Sequence, residues 1–93
     1  MNQLRYDMIR DRLSAALAPA SLQLMDDSHL HAGHAGAEGG RGHYRVHIVS
    51  PRFAGLRPIA RHQLVYRALG ELMQTDIHAL SIQALTPDEI GAN

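Results

Sequence analysis

The side chains best suited to chemistry in this chain are its histidines, four of which fall close together. The segment DSHLHAGHAGAEGGRGH carries them at His29, His31, His34 and His43, and the chain of 93 residues has no cysteine. A neutral imidazole is a good ligand for iron, zinc, copper or nickel. The spacing H-x-H-x-x-H in a flexible loop is nevertheless a weak metal signature, and it equally fits histidines that are simply solvated.

Glycine sets the character of the segment around these histidines. Five of the eight glycines of the chain fall within residues 29–42. Because glycine leaves the backbone free and ends regular structure, we predict that residues 29–42 form a flexible loop.

The charged residues are unevenly distributed, although the formal net charge is zero. No Asp or Glu occurs between Gly39 and Gly70, whereas six of the nine arginines do: Arg41, Arg45, Arg52, Arg57, Arg61 and Arg67. A basic middle favours an anionic partner such as nucleic acid, glutathione or an acidic protein surface. The alternative is that these arginines only solvate a helix and a strand.

Several classes of function lack their sequence signatures. Ser28 adjoins His29, but adjacent residues in an extended chain point to opposite sides, and no orienting acid or oxyanion donor can be located. The chain shows no phosphate loop and no dinucleotide fingerprint. It has no apolar run of about 18 residues and no N-terminal signal peptide. We therefore expect a non-catalytic, cytoplasmic protein that is not inserted in a membrane.

The first half of the chain predicts a helix followed by two strands. Apolar residues recur at helical spacing before Pro19, at Leu4, Met8, Ile9, Leu13, Ala16 and Leu17. A helix is expected to stop there, because the residue before proline resists the helical conformation. A short strand follows over residues 22–25, and the alternation of Tyr44, Val46 and Ile48 predicts a second strand.

The second half predicts a helix, a strand and a final helix. One helix begins near Pro58, passes Gly70 and ends at Asp76, with an apolar stripe at His62, Val65, Tyr66, Leu69, Leu72 and Met73. Residues 79–85 read as the third strand, and Thr86 with Glu89 reads as the capping box of a short helix. The order α-β-β-α-β-α predicts an α+β fold. Its three-stranded mixed sheet pairs a hairpin with a parallel third strand, and its helices pack on one face.

Three stretches in this order resemble the BolA family: DDSHLHAGHAG, HYRVHIVSPRFAGLRPIARHQLVY and IHALSIQALTPDE. The likeness covers nearly the whole chain, so residues 1–93 are treated as a single BolA-like domain. It implies a fold related to the type II (class II) KH domain. It also implies partnership with monothiol glutaredoxins, with which BolA proteins bind a bridging [2Fe–2S] cluster in iron handling and cluster delivery. Some members are described as DNA-binding regulators linked to stress and cell shape.

The resemblance further implies two histidine ligands for the cluster. One is His78, before the last strand, and the other is a loop residue, best matched by His31, with His34 and His29 as alternatives. Histidine replaces cysteine on one iron of Rieske centres, so a chain without thiols can hold half of a cluster. The cysteines of glutaredoxin and of glutathione would then bind the other iron. Alone, the chain is expected to be a monomer or a weak homodimer.

The other histidines carry separate predictions. His62 lies on the apolar stripe, so we expect a core histidine that is hydrogen-bonded to a backbone group. His47 is expected at the surface. His43, at the entrance of the second strand, is left as a reserve ligand.

Nucleic-acid binding is the alternative function. The KH-like order and the basic middle favour it, and phosphate contacts are then expected from Arg52, Arg57, Arg61 and Arg67 with little sequence preference. The G-x-x-G loop of KH domains is missing, because FAGLRP offers only Gly55. With only four aromatic residues in the chain, platforms for base stacking are also scarce.

Overall fold

A three-stranded mixed sheet organises the protein, whose computed structural model describes residues 3–28 and 41–90. In chain order the elements are α1 (Gln3–Leu17), β1 (Ser21–Asp26), β2 (Gly42–Val49), a 3₁₀ turn (Pro51–Phe53), α2 (Pro58–Leu69), α3 (Leu72–Thr75), β3 (Ile77–Leu85) and α4 (Pro87–Ile90). Strand β2 is central, with β1 antiparallel to it on one side and β3 parallel to it on the other. The predicted α+β class, the hairpin and the parallel third strand are confirmed.

The predicted loop over residues 29–42 extends one residue too far at its C-terminal end. Gly42 is already the first residue of β2, and its N–H donates a hydrogen bond of 2.9 Å to the carbonyl oxygen of Asp76. Residues 29–40, which contain the three predicted loop ligands His29, His31 and His34, lie outside the described residues.

Helix α1 buries one line of side chains at a spacing of four residues. Ile9, Leu13 and Leu17 are all buried. The predicted apolar stripe also included Leu4, but the side chain of Leu4 is 70% exposed, so this part of the prediction is wrong. Leu4 precedes Ile9 by five residues, which places it about 140° around the helix axis from the buried line.

Helix α2 ends earlier than the sequence pattern predicts. It stops at Leu69, and Gly70 follows with φ 55° and ψ −129°, a conformation that glycine adopts without the steric cost of a Cβ. A separate one-turn helix, α3, then buries Leu72. The prediction of one helix that continues through Gly70 to Thr75 is therefore wrong.

The buried line of α2 also differs from the predicted stripe. It consists of Arg61, Val65 and Leu69 at a spacing of four residues. Tyr66 is 42% exposed, and His62 is only partly buried rather than a core residue. Each of these two side chains follows a buried residue by one position, which is about 100° around the helix axis. Both were therefore wrongly assigned to the core.

Helices α1, α2 and α3 cover one face of the sheet, as predicted. The core contains side chains from α1, α2, α3, the 3₁₀ turn and all three strands: Ile9, Leu13, Leu17, Leu24, Tyr44, Val46, Ile48, Phe53, Val65, Leu69, Leu72, Ile77 and Ala84. The opposite face exposes polar side chains, among them Gln23, Arg45, Ser81 and Gln83. Across residues 3–28 and 41–90, no helix is long and apolar enough to cross a membrane.

Arg61 joins α2 to β3 and α4 through its guanidinium group. Its Nε donates to the Leu56 carbonyl at 2.8 Å, and its Nη1 donates to the Ala84 carbonyl at 3.0 Å and to Glu89 Oε1 at 2.6 Å. Glu89 also accepts the Thr86 backbone N–H at 2.7 Å, which is one of the two hydrogen bonds of the predicted capping box. The hydrogen bond from Arg61, assisted by the one from the Thr86 backbone N–H, lowers the pKa of Glu89 from 4.5 to about 2.

Candidate functional site

Two histidines meet where β2 and β3 begin. The ring centroids of His43 and His78 lie 5.1 Å apart, with the ring planes inclined at 47°. His78 is exposed and His43 is partly buried, so the pair is open to solvent on the His78 side. Sequence reasoning singled out His78 and left His43 as a reserve ligand, and these two imidazoles are the ones that the described structure brings together.

A bulge in the strand pairing accounts for this meeting. Gly42 pairs with Ile77 and His43 pairs with Ala79, so His78 is one extra residue on β3. Parallel strands begin at the same edge of a sheet, which brings the first residues of β2 and β3 together. A bulge turns a side chain away from the regular alternation, and bulges are common beside functional sites.

The end of β1 holds the backbone of His43. The His43 N–H donates to Ser28 Oγ at 3.1 Å, and the His43 carbonyl accepts the Asp27 N–H at 2.8 Å. The Ser28 N–H in turn donates to Asp26 Oδ1 at 2.9 Å. Side-chain acceptors of this kind fix a turn locally, so the last residues before the histidine loop are tied to His43.

Gly42 is required by close packing at the same place. A Cβ at this position would lie 2.6 Å from Tyr44 Cε2 and 2.8 Å from Ser28 Oγ, both closer than real Cβ contacts allow. Tyr44 is 2% exposed and has no room to move away. The glycine therefore lets β1 and β2 approach each other beside His43.

Arginines neutralise the carboxylates around the histidine pair. Asp27 forms an ion pair with Arg45, and hydrogen bonding to Asp27 raises the pKa of Arg45. Asp76, which precedes β3, forms an ion pair of 3.3 Å with Arg5. Burial raises the pKa of Tyr44, so its phenol stays neutral at neutral pH. Asp27 and Asp76, the carboxylates next to the pair in the chain, are thus already engaged by arginines.

The spacing of the two rings fits two ligands of one metal. An imidazole nitrogen lies about 2.0–2.1 Å from a bound zinc, which puts a metal roughly 3.2 Å from the ring centroid. Two imidazoles at a tetrahedral angle then have centroids about 5.2 Å apart, against the 5.1 Å between His43 and His78. Among the described residues no group of three or more His, Cys, Asp or Glu side chains could hold a metal ion. A metal here therefore needs further ligands from residues 29–40 or from another molecule.

The four arginines predicted to contact phosphates fall into two groups. Arg61 is 9% exposed and its guanidinium is bonded inside the fold, so the prediction that it contacts nucleic acid is wrong. Arg52, Arg57 and Arg67 are exposed. None of these three forms an ion pair with a carboxylate of residues 3–28 or 41–90.

The sequence pattern of the BolA-like protein family matches residues 13–89, which is most of the chain. The chain belongs to the BolA-like protein family. BolA-like protein 1 of Homo sapiens is 48% identical over 85 residues, which cover 91% of this chain and 60% of the human protein. The chain thus spans about 60% of the length of that relative.

In two further BolA relatives, the match covers a larger share of the relative's own length. The DNA-binding transcriptional regulator BolA of Vibrio cholerae is 41% identical over 83 residues, which cover 89% of this chain and 76% of that protein. The structure of the BolA domain of SufE1 from Arabidopsis thaliana matches with a TM-score of 0.80 and 36% identity, covering 96% of this chain and 98% of that one. Some plant relatives are named chloroplastic, so the cytoplasmic location stays a prediction.

Proposed function

We propose that this BolA-like protein is a non-catalytic partner of a monothiol glutaredoxin and holds half of a shared [2Fe–2S] cluster through histidines. Its role would lie in iron–sulfur cluster assembly, trafficking and iron regulation. The observation that supports this most is the 5.1 Å pairing of the exposed His78 with His43 at the strand edge. The names of the BolA-like relatives denote a family and a regulator rather than an enzyme.

The composition of the site supports sharing with a second molecule. The chain has no thiol, and its described residues bring together only two imidazoles. Rieske centres show that two histidines suffice for one iron of a [2Fe–2S] cluster when thiolates hold the other iron. The cysteines of glutaredoxin and glutathione would supply those thiolates. Because imidazole binds as a neutral ligand, a half-site of this kind suits transfer more than storage.

His78 is the ligand common to every version of the proposal. The second ligand is proposed to be His31, with His34 and His29 as alternatives from the same segment. Ser28 is bonded to the backbone of His43, and three chain steps lead from Ser28 to His31. Three steps span at most about 11 Å, so the chain length allows His31 to reach the pair. The geometry adds His43 itself as a further candidate.

The test is anaerobic reconstitution of the chain with a monothiol glutaredoxin, iron, sulfide and glutathione, followed by visible absorption and circular dichroism. We expect a spectrum that differs from that of the glutaredoxin homodimer and is lost with His78→Ala. The matched control is His47→Ala, which removes a partly buried histidine of β2 that lies outside the pair. Comparing His31→Ala with His43→Ala identifies the second ligand. A spectrum equal to that of the glutaredoxin homodimer would refute the proposal.

DNA binding is the second candidate function, in the role of a transcriptional regulator linked to stress and cell morphology. It is favoured by the exposed Arg52, Arg57 and Arg67, which form no ion pair with the described carboxylates, and by the name of the Vibrio cholerae relative. In a mobility-shift assay, Arg57→Ala should weaken duplex binding and His78→Ala should not. Affinity should also fall steeply as salt rises. This function would be excluded if the affinity for duplex DNA changed neither in Arg57→Ala nor with the salt concentration.

A further inference from the structure

A small groove lies between the last turn of α1 and the C-terminal half of α2, and none of its lining residues belongs to the histidine pair. It measures about 240 Å³ and is lined by Ala16, Leu17, Arg52, Leu64, Arg67 and Ala68. We call it the α1–α2 groove. Its floor is aliphatic, and both of its charged lining residues are arginines.

Among the described residues, the two arginines of the α1–α2 groove have no carboxylate partner. Arg12 and Arg45 are paired with Glu71 and Asp27, but neither Arg52 nor Arg67 pairs with a carboxylate of the described chain. Both guanidinium groups belong to exposed residues. An anionic group that enters the groove therefore meets two arginines without displacing a carboxylate of residues 3–28 or 41–90.

The backbone beside the groove is held in place before any partner arrives. The Arg52 N–H donates to Ser50 Oγ at 3.1 Å, and Ser50 Oγ donates to the Leu17 carbonyl at 2.6 Å. Ser50 is fully buried. This chain of bonds joins the 3₁₀ turn to the end of α1, so Arg52 is presented from a fixed position, which reduces the entropy lost on binding.

The size and lining of the groove restrict what it can hold. Pockets for small-molecule ligands usually measure about 300–1,000 Å³, so a groove of about 240 Å³ suits one or two side chains. Two of its lining residues are alanines, whose small side chains leave space inside the groove. It has no aromatic lining residue on which a base could stack. An aliphatic side chain fits this floor better than a nucleotide.

We propose that the α1–α2 groove binds an acidic peptide segment of a partner protein. A branched aliphatic side chain of the peptide would lie on the Leu64 and Ala68 floor, and flanking carboxylates would pair with Arg52 and Arg67. The proposal does not depend on the iron–sulfur function, because no groove residue belongs to the histidine pair.

The test is fluorescence anisotropy with a fluorescein-labelled peptide, Glu-Glu-Leu-Leu-Glu-Glu, and a matched peptide in which both leucines are glycine. The protein variants are Arg52→Gln, Arg67→Gln and Ala68→Leu, the last of which fills the groove without changing charge. Arg57→Gln is the control, because it removes one exposed charge outside the groove. Circular dichroism verifies that each variant is folded.

We expect the leucine peptide to bind wild type more tightly than the glycine peptide. Arg52→Gln and Arg67→Gln should each weaken binding about two- to fivefold, the range for exposed ion pairs, and Arg57→Gln should leave it unchanged. Folded Ala68→Leu should abolish the difference between the two peptides. Equal losses in all three arginine variants, or equal binding of the two peptides by wild type, would overturn the proposal. So would a duplex DNA competitor that displaces the peptide with the same arginine dependence and no response to Ala68→Leu.

Discussion

Replacing Arg61 with alanine is expected to lower the free energy of unfolding by about 3 kcal/mol. The Arg61 side chain is 11% exposed and donates to the carbonyls of Leu56 and Ala84 at 2.8 and 3.0 Å. A hydrogen bond from a charged donor contributes about 1.5–3 kcal/mol, and the lower figure for each of two bonds gives about 3 kcal/mol. The contact with Glu89 is left out of this figure, because the Glu89 side chain is 43% exposed and water weakens the pair.

Urea denaturation followed by far-UV circular dichroism measures this loss. In a domain of this size a loss of 1 kcal/mol lowers the melting temperature by about 4–8 °C, so Arg61→Ala should melt about 12–24 °C below wild type. Arg57→Ala is the matched control. Arg57 is an exposed arginine at the start of α2 whose side chain makes no capping hydrogen bond, and its loss should cost less than about 0.5 kcal/mol.

Arg61→Lys separates geometry from charge. A lysine keeps the positive charge but has no planar fork that reaches several acceptors at once, so most of the stability should still be lost. If Arg61→Ala instead unfolds at the same urea concentration as Arg57→Ala, the structural role of Arg61 is refuted.

Two further predictions follow from the close contacts of Gly42 and from the low pKa of Glu89. Gly42→Ala should lower the free energy of unfolding by about 1–3 kcal/mol, which is the usual cost of overpacking. The reason is that the added Cβ would meet Tyr44 and Ser28. A urea midpoint equal to that of wild type would contradict this prediction. The pKa of Glu89 falls from 4.5 to about 2 on folding, so its contribution to stability is complete above pH 4.5 and is lost as the pH falls towards 2. Thermal melts between pH 5 and 2 should therefore show a steeper loss of stability in wild type than in Glu89→Gln, and parallel curves would refute the assignment.

The elements that depend on local pattern were predictable from sequence. Tyr44, Val46 and Ile48 alternate along β2 and are all buried, as a period of two requires for a strand with one covered face. The end of α2 was not predictable in this way. A glycine inside a helix costs only about 1 kcal/mol, so the pattern alone does not show that Gly70 ends α2 and that α3 forms separately.

Tertiary packing determines which individual polar side chains are buried and what they contact. Arginine is almost never fully buried unless it is paired, so Arg61 was expected at the surface. Two of the acceptors that hold it, Ala84 and Glu89, lie 23 and 28 residues away from it in the chain. The meeting of His43 with His78 likewise requires the parallel register and the bulge at the start of β3, neither of which a single sequence displays. The iron–sulfur role and the loop ligands remain predictions.

Pulsed electron paramagnetic resonance of the reduced mixed complex tests imidazole ligation most directly. This chain would be labelled with ¹⁵N-histidine and the glutaredoxin left unlabelled. Ligation by two imidazoles predicts ¹⁵N hyperfine couplings from two histidines on one iron, with the coupling of one of them lost in His78→Ala and both retained in His47→Ala. A cluster without ¹⁵N coupling, or one whose couplings are the same in His78→Ala as in wild type, would contradict it.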